Sequence, residues 1–386
     1  LKSARAAAVW GLAGGRIGGT PMAEAQSGLG SEDQPRLSQW ARQADGRLQP
    51  AIFVSIPCYR DPECQYTVLD LFRKAKYPER VYVGVCWQAD REEDTTCFLL
   101  DLGEYESRIR TVFIHHSEAR GPCYARALIQ KQLFKGEDYY FQLDSHYRMI
   151  ENWDEELLSQ LNRCPSSRPI LTTYPSSYTL PDDYEPGRPD AARLHPGRHP
   201  IVVCAREFGT ADGFLRTAGK AVREEALGGN PAPGLFWAAG FAFSSSSIVQ
   251  EVPYDISLED LFFGEEPSMA ARLWTSGWDF FAPTAVIGFH LWSRKHRPVF
   301  REHACEEQRR REAASQARVR ELLGLAEGEG ASAPDPCWLG SARSLAEFEA
   351  FCGVVPARRK ISSRARRGGL EPAAFVDGDP AAASAA

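Results

Sequence analysis

The sequence of 386 residues lacks several features that would place it in a familiar class of protein. It has no run near the ~20 apolar residues that span a bilayer, so no membrane span is predicted. None of its 10 cysteines forms a C-x-x-C pair, which argues against a zinc knuckle. Their spacing differs from that of a secreted disulfide framework and favours a reducing compartment, although their even number leaves an oxidised one open.

Positive charge is also not in excess. The chain carries 45 Lys and Arg residues against 51 Asp and Glu residues, which gives a formal net charge of -6. No general affinity for nucleic acid is therefore expected, and any polyanionic ligand must meet a local basic cluster. The first 19 residues are rich in Ala, Gly and Arg and contain no acid, a pattern that leaves an organellar transit segment open.

What the sequence does contain is a series of short apolar runs separated by helical segments. Runs typical of buried strands lie at 51–56, 81–86, 110–114, 139–143, 170–173, 201–205 and 286–291, and a further run, 235–243, is apolar with small residues at its centre. Helices are predicted over 61–74, 121–134, 153–162, 258–276 and 306–323. This alternation predicts an α/β fold, a mostly parallel mixed sheet flanked by helices, which binds ligands at the carboxyl ends of its strands.

Three regions are predicted along the chain. Residues 1–48 are polar and small and are predicted to be disordered. Residues 49–303 form the predicted catalytic domain, and its segment Tyr174–Pro200 is predicted to be a long loop. Residues 304–386 are predicted to form a helical extension with a basic tail, in which Ser344 and Glu347 fit a capping box.

The sharpest chemical feature is an Asp-x-His pair after the fourth predicted strand. Asp144 and His146 point the same way if the segment is extended, and a carboxylate with an imidazole suits Mn²⁺ better than Mg²⁺. His290, inside a later apolar run, is a candidate third ligand. In the plainer interpretations, Asp144 is a capping residue and His146 a surface histidine. His290 would then be a core histidine whose hydrogen bonds are satisfied within the protein. A bound cation could bridge the phosphates of a nucleotide-sugar.

Basic residues near the predicted carboxyl edge are candidates for nucleotide contact. Arg60 follows a predicted strand, and Arg120 and Arg126 lie at a helix start that can bind anions. Arg294 and Arg297 lie in the basic run after His290. The predicted cofactor-binding residues are Arg60, Asp61, Arg120, Arg126, Arg294 and Arg297. Solvated surface arginines are the alternative interpretation.

Four further residues are candidates for catalysis or substrate binding. Glu265 and Glu266 follow a glycine and are predicted to act as a base or to position an acceptor hydroxyl, although adjacent acids also favour a helix start. Trp237 offers an aromatic face on which a sugar can stack, and Gly240 permits close approach. The alternative interpretation is that Trp237 and Gly240 belong to an aromatic segment of the core.

Taken together, these motifs resemble one family. The runs Phe53–Pro62 (FVSIPCYRDP), Arg120–Arg126, Gln142–His146, Phe263–Glu266 and Phe289–Arg294 look like those of the hydroxyproline N-acetylglucosaminyltransferases, over about residues 51–303. The resemblance implies a GT-A fold, UDP-GlcNAc as donor, and an α-linked GlcNAc on a hydroxyproline oxygen with retained configuration. It also implies cytoplasmic location and, as acceptor partner, the adaptor subunit of SCF ubiquitin ligases.

The more distant mucin-type polypeptide GalNAc-transferases share an Asp-x-His and a later His as Mn²⁺ ligands, which implies that role for Asp144, His146 and His290. Retention implies that no in-line base is required, so Glu265 and Glu266 would orient the acceptor. The tails and the Tyr174–Pro200 loop do not match the family pattern.

Three alternatives stay open at this point. The same ligands could serve a metal-dependent phosphoesterase or nucleotide hydrolase, although such sites commonly hold two metals. The scaffold could be a non-catalytic UDP-sugar-binding module. The same chemistry could also act in the Golgi on Ser, Thr or hydroxyproline of secreted proteins.

Overall fold

The computed structural model describes residues 41–42, 48–186, 192–195, 199–300, 305–326 and 335–376. The prediction of disorder for residues 1–48 therefore falls almost wholly outside the described part of the chain. So does the end of the predicted basic tail, from residue 377 onward.

The described residues form strands and helices with the following bounds. The strands are β1 (Ala41–Arg42), β2 (Leu48–Gln49), β3 (Ile52–Tyr59), β4 (Val81–Gln88), β5 (Ile109–Ile114), β6 (Tyr139–Leu143), β7 (Tyr147–Met149), β8 (Pro169–Thr172), β9 (Ser176–Thr179), β10 (Arg193–Leu194), β11 (Ile201–Phe208), β12 (Leu215–Ala221), β13 (Ala232–Gly234), β14 (Phe241–Ser245), β15 (Asp279–Ala282), β16 (Gly288–His290), β17 (Val354–Val355) and β18 (Lys360–Ile361). The α-helices are α1 (Cys64–Arg73), α2 (Gly121–Leu128), α3 (Trp153–Asn162), α4 (Ile248–Glu251), α5 (Glu265–Thr275), α6 (Glu306–Leu322) and α7 (Leu345–Cys352).

The core of the molecule is an eight-stranded mixed sheet in the order β13-β15-β8-β14-β6-β3-β4-β5. Strands β6, β3, β4 and β5 are parallel, whereas β14 runs antiparallel to both of its neighbours. The predicted α/β fold with a mostly parallel mixed sheet flanked by helices is thus confirmed.

The side chains of β3 alternate between the two faces of the sheet, and both faces are covered. Ile52, Val54 and Ile56 are fully buried in one apolar cluster, which also contains Leu71 of α1. Phe53 points to the other face and packs in the cluster that holds α2 and α5. Because side chains alternate between the two faces of a strand, a run that is apolar at every position requires cover on both sides.

A second, four-stranded sheet has the order β10-β9-β16-β7. It includes two short strands from the segment Tyr174–Pro200, which was predicted to be a loop; residues 187–191 and 196–198 of that segment lie outside the described part. Strand β9 pairs in parallel with β16, so this connection is partly ordered by a distant strand that its own sequence does not reveal.

Of the apolar run 235–243, only the last residues belong to a strand, β14. Before β14, the amide of Ala238 donates to the Thr172 hydroxyl at 2.9 Å, and the amide of Ala239 donates to a Glu266 carboxylate oxygen at 3.0 Å. These backbone groups bond to side chains instead of a neighbouring strand, so the segment is a loop beside the sheet edge.

The helix predicted over 258–276 begins later, at Glu265. Asp260 has a φ of 56° and Gly264 a φ of 116°, and both conformations interrupt a right-handed helix. Helix α5 consequently starts with Glu265 and Glu266 in its first turn, where the helix dipole favours negative charge.

The C-terminal helices pack on the main core. Val319 of α6 and Phe348 of α7 are buried in the same apolar cluster as α5, and Trp274 stacks on Phe351 with ring centroids 5.0 Å apart. The predicted capping box at Ser344 and Glu347 is present. The predicted domain boundary after residue 303 stays a prediction. Among the described residues, no helix is both long and apolar enough to cross a membrane.

Candidate active site

Three predicted ligands meet at the carboxyl edge of the central sheet. Strand β6 ends at Leu143, and Asp144 and His146 follow directly. Pairing of β7 with β16 sets His290 opposite Tyr147 and therefore beside His146. One potential ligand atom from each of Asp144, His146 and His290 lies within 4.8 Å of the others. His290 Nε2 lies 3.5 Å from Asp144 Oδ2. This spacing can hold one metal ion.

Gly240 leaves the space that the Asp144 carboxylate occupies. A Cβ atom at residue 240 would lie 2.6 Å from Oδ2 and 3.2 Å from Cγ of Asp144, closer than side chains normally approach. The amide of Asp144 also donates to the Gly240 carbonyl at 3.3 Å. The predicted close approach at this glycine is therefore present, but the group that approaches is a candidate metal ligand.

Asp61 lies behind His146. Its carboxylate is fully buried, and Oδ2 contacts His146 Nδ1 at 2.8 Å and accepts a hydrogen bond from the Ser145 hydroxyl at 2.6 Å. His296 Nε2 lies 3.1 Å from Oδ1, and Arg297 Nε lies 3.2 Å from Oδ2. With Nδ1 of His146 engaged, Nε2 is the nitrogen available to a metal, which is the usual carboxylate–histidine–metal arrangement.

These contacts involve two of the residues predicted to bind the nucleotide, Asp61 and Arg297, and that role stays a prediction for both. Asp61 was predicted to bind the cofactor, but its carboxylate is enclosed by His146 and its neighbours and has no exposed surface. The Nε of Arg297 is directed at Asp61, so this part of its guanidinium neutralises a buried carboxylate inside the protein.

The protonation states in the cluster are those that metal binding requires. Burial would raise the pKa of Asp144, but the hydrogen bond to His290 and the charge of Arg126 outweigh it and lower that pKa. Burial, with the neighbouring His290, lowers the pKa of His146 to about 3, and burial lowers the pKa of His290. At neutral pH the carboxylate is ionised and both imidazoles are neutral and can donate a lone pair.

Arg126 connects Asp144 to the acid pair of α5. Its Nη2 donates to Asp144 Oδ1 at 2.8 Å and to the Ala239 carbonyl at 3.2 Å, and its Nη1 donates to Glu265 Oε1 at 2.6 Å. The Tyr254 hydroxyl donates to the same Glu265 oxygen at 2.7 Å. Arg126 was predicted to contact the nucleotide; instead, both of its terminal nitrogens are buried and engaged within the protein.

Glu266 holds the loop that leads to Gly240. It accepts hydrogen bonds from the Tyr174 hydroxyl, from Thr217 Oγ1 at 2.9 Å and from the Ala239 amide at 3.0 Å. Burial raises the pKa of Glu266 and likewise that of Glu265, in each case against hydrogen bonds that favour the charged form. Both glutamates thus support the Ala239 segment, and their predicted part in the chemistry stays a prediction.

Three other predicted arginines lie farther from the cluster. Arg60 Nε donates to Asp94 Oδ1 at 2.9 Å, and Arg120 forms an ion pair with Glu259. Their charges are therefore already balanced by carboxylates of the protein. Arg294 is exposed, beyond β16 in the chain.

Trp237 is buried beside the site and lines an apolar cavity together with Glu266. Its predicted stacking on a sugar stays a prediction.

Sequence reasoning missed several residues that shape the site, namely Ser145, Tyr174, Thr217, Tyr254 and His296. Ser145 lies between two predicted ligands and His296 within the basic run, so both carried a signal in the sequence. The other three belong to no motif.

The sheet topology and the cluster at its carboxyl edge define a GT-A glycosyltransferase fold. The solved structure of GalNAc-T7 with UDP, GalNAc and Mn²⁺ matches with a TM-score of 0.51 and 12% sequence identity, over 73% of this chain and 50% of that one. The chain thus spans about half the length of that structure. S. aureus TarS 1-349 with UDP-GlcNAc also matches, with a TM-score of 0.42 and 11% identity, over 73% of this chain and 68% of that one.

A match between the sequence and a family model identifies the family. The family model described as Glycosyltransferase (GlcNAc) matches residues 51–104 and 101–358, and the chain belongs to this family. The protein is accordingly a GT-A glycosyltransferase. No curated protein matches the chain.

Proposed function

We propose that this protein transfers GlcNAc from UDP-GlcNAc to a hydroxyl group of a polypeptide, with hydroxyproline as the acceptor residue and the configuration at the sugar retained. The observation that carries the proposal is the convergence of Asp144, His146 and His290 within 4.8 Å at the carboxyl edge of the sheet. Membership of the GlcNAc glycosyltransferase family supports the donor. The sequence resemblance supports the acceptor and, as partner, the adaptor subunit of SCF ubiquitin ligases in the cytoplasm.

The residues present fit a divalent cation. One carboxylate oxygen and two neutral imidazole nitrogens form a donor set that suits Mn²⁺, with Mg²⁺ as the weaker fit. His290 Nδ1 is buried and has no hydrogen-bond partner among the described residues, so this ring is not fully satisfied by the protein. When bound, the ion would neutralise the charge that develops on the departing UDP.

The residues of the chain then have separate tasks. Asp61 orients His146, and Gly240 leaves space for the Asp144 carboxylate. Arg126 fixes that carboxylate from the opposite side, so little reorganisation is needed when charge develops in the site. In a retaining transfer, the leaving phosphate oxygen accepts the proton of the acceptor hydroxyl on the same face of the sugar. Glu265 and Glu266 therefore position the acceptor side of the site and are not in-line bases.

The phosphoesterase alternative has less support. Two-metal hydrolases need a second set of His and acidic ligands close to the first. In the part of the chain that the structure describes, Asp144, His146 and His290 form the one such group of three.

A donor screen tests the proposal. Purified protein, Mn²⁺ and each UDP-sugar in turn are incubated with a hydroxyproline peptide, and the product mass is measured. We expect one added N-acetylhexosamine with UDP-GlcNAc, no product from the matched proline peptide, and no transfer by Asp144→Ala. Hydrolysis of UDP-GlcNAc without transfer to any acceptor, or full Mn²⁺-dependent transfer by Asp144→Ala, would contradict the proposal.

A further inference from the structure

A strongly basic surface lies on the segment that follows α7. We define it by five residues within nine positions: Arg359, Lys360, Arg364, Arg366 and Arg367. Four of them are exposed and Arg367 is half-buried. The chain as a whole has a net charge of -6, so this basic surface is a local reversal of sign.

The basic surface differs from the arginines around the active site in its partners within the described part of the chain. No residue of the basic surface forms an ion pair with a described carboxylate, whereas most arginines around the active site do. The arginines of the basic surface instead donate to backbone carbonyls, Arg359 to Gly209 at 2.9 Å and Arg366 to Arg206 at 2.7 Å. A carbonyl holds a guanidinium in place without cancelling its charge, so the cations are fixed and available to an anion outside the chain.

An apolar cavity is lined both by residues next to the candidate active site and by residues of the segment that leads into the basic surface. Trp237 and Glu266, which border the Ala239 loop, line one part of this cavity, and Val354 and Pro356 line another. The cavity has a volume of about 40 Å³, and almost all of its lining is apolar. Pro356 begins the turn that leads into Arg359. Glu266 of the acid pair thus lies on the cavity lining, and the basic surface begins in the chain three residues after Pro356.

We infer that the basic surface docks an acidic segment of the acceptor polypeptide, and this inference rests on the proposed transfer to a polypeptide. Fixed cations beside an apolar cavity match a chain that carries both carboxylates and apolar side chains. Single-stranded nucleic acid would be expected to stack its bases on exposed aromatic rings. The large exposed hydrophobic residues of the described chain are Leu99, Leu194 and Ile256, and none of them is aromatic.

A binding experiment without donor tests the inference independently of transfer. The probes are a fluorescein-labelled Glu-rich peptide, the same peptide with Gln for Glu, an oligothymidylate, and phosphatidylcholine vesicles with and without phosphatidylserine. We expect the Glu-rich peptide to bind the full chain most tightly, and its affinity to fall when ionic strength rises from about 0.05 to 0.5 M. Equal affinity for the Glu and Gln peptides, or tighter binding of the oligothymidylate or the anionic vesicles, would overturn the inference.

Variants locate the binding to the basic surface. The triple variant Lys360→Gln, Arg364→Gln, Arg367→Gln should bind the Glu-rich peptide about tenfold more weakly, since each exposed ion pair contributes little alone. The matched control is Arg73→Gln, Lys131→Gln, Arg163→Gln, which removes the same charge from other exposed positions and should bind as the parent does. If the triple variant does not fold, Lys360→Gln alone serves, with a smaller loss expected. Equal weakening by both triple variants would refute a specific docking surface.

A transfer assay then separates failure of the inference from failure of the proposed function. Two hydroxyproline peptides with acidic or neutral flanks are compared as acceptors. We expect a lower KM for the acidic peptide with similar kcat, and loss of that KM difference in the basic-surface triple variant. Binding of the Glu-rich peptide with no transfer to either peptide would refute the proposed function alone. Transfer with equal KM values would refute the docking inference alone.

Discussion

Replacing Gly240 by alanine should weaken metal binding without unfolding the protein. The added Cβ would lie 2.6 Å from Oδ2 of Asp144, and this carboxylate cannot simply turn away because Arg126 holds its other oxygen at 2.8 Å. Gly240 is not among the positive-φ glycines, so the backbone accepts alanine and the strain falls on the contact with Asp144.

The size of the effect follows from the kind of contact. Overpacking by one methyl group in a dense region costs about 1–3 kcal/mol of folding stability. A displaced ligand shell lowers metal affinity by about 10–100-fold. We therefore expect Gly240→Ala to lower the melting temperature modestly and to weaken Mn²⁺ binding, measured by calorimetric titration in the presence of UDP, by at least about tenfold.

Gly234→Ala is the matched control. A Cβ atom at residue 234 would meet Phe280 Cβ at 3.6 Å, which is an ordinary van der Waals contact. This variant should bind Mn²⁺ as the parent does. If Gly240→Ala retained the parent's Mn²⁺ affinity and transfer rate, the proposed crowding of Asp144, and with it the ligand role of its Oδ2, would be wrong.

Three further predictions test the groups around the ligands. Asp61→Asn should weaken Mn²⁺ binding by about 10–100-fold, because the amide no longer gives His146 a charged partner; an unchanged titration would contradict the orienting role. Arg126→Met should cost about 3–5 kcal/mol of unfolding free energy in denaturant titrations, since it leaves the buried Glu265 and the half-buried Asp144 without their cation; a loss below about 1 kcal/mol would show that the bridge is weak. Chelation of divalent ions should stop transfer and added Mn²⁺ should restore it; transfer that persists in excess chelator would exclude the metal mechanism.

Much of the fold could be read from local pattern. The runs that became β3, β4 and β6 are apolar at most positions, and such runs need a buried sheet with cover on both faces. For the run 235–243, hydrophobicity alone does not reveal where the backbone amides find partners. There the amides of Ala238 and Ala239 bond to side chains of Thr172 and Glu266. A strand pattern and a buried loop look alike in sequence when both are apolar.

The sequence alone was enough to identify Asp144, His146 and His290 as candidate ligands, because the end of a parallel strand is a known position for such groups. The tertiary structure decided which neighbours support them. Arg126 and Glu265 are 139 positions apart and meet only through the fold, and Asp61 reaches His146 across 85 positions. A charged side chain takes its role from the groups that share its buried surroundings. Local sequence does not specify those groups, so the contacts of Asp61 with His146 and of Arg126 with Asp144 could not be predicted from the motifs.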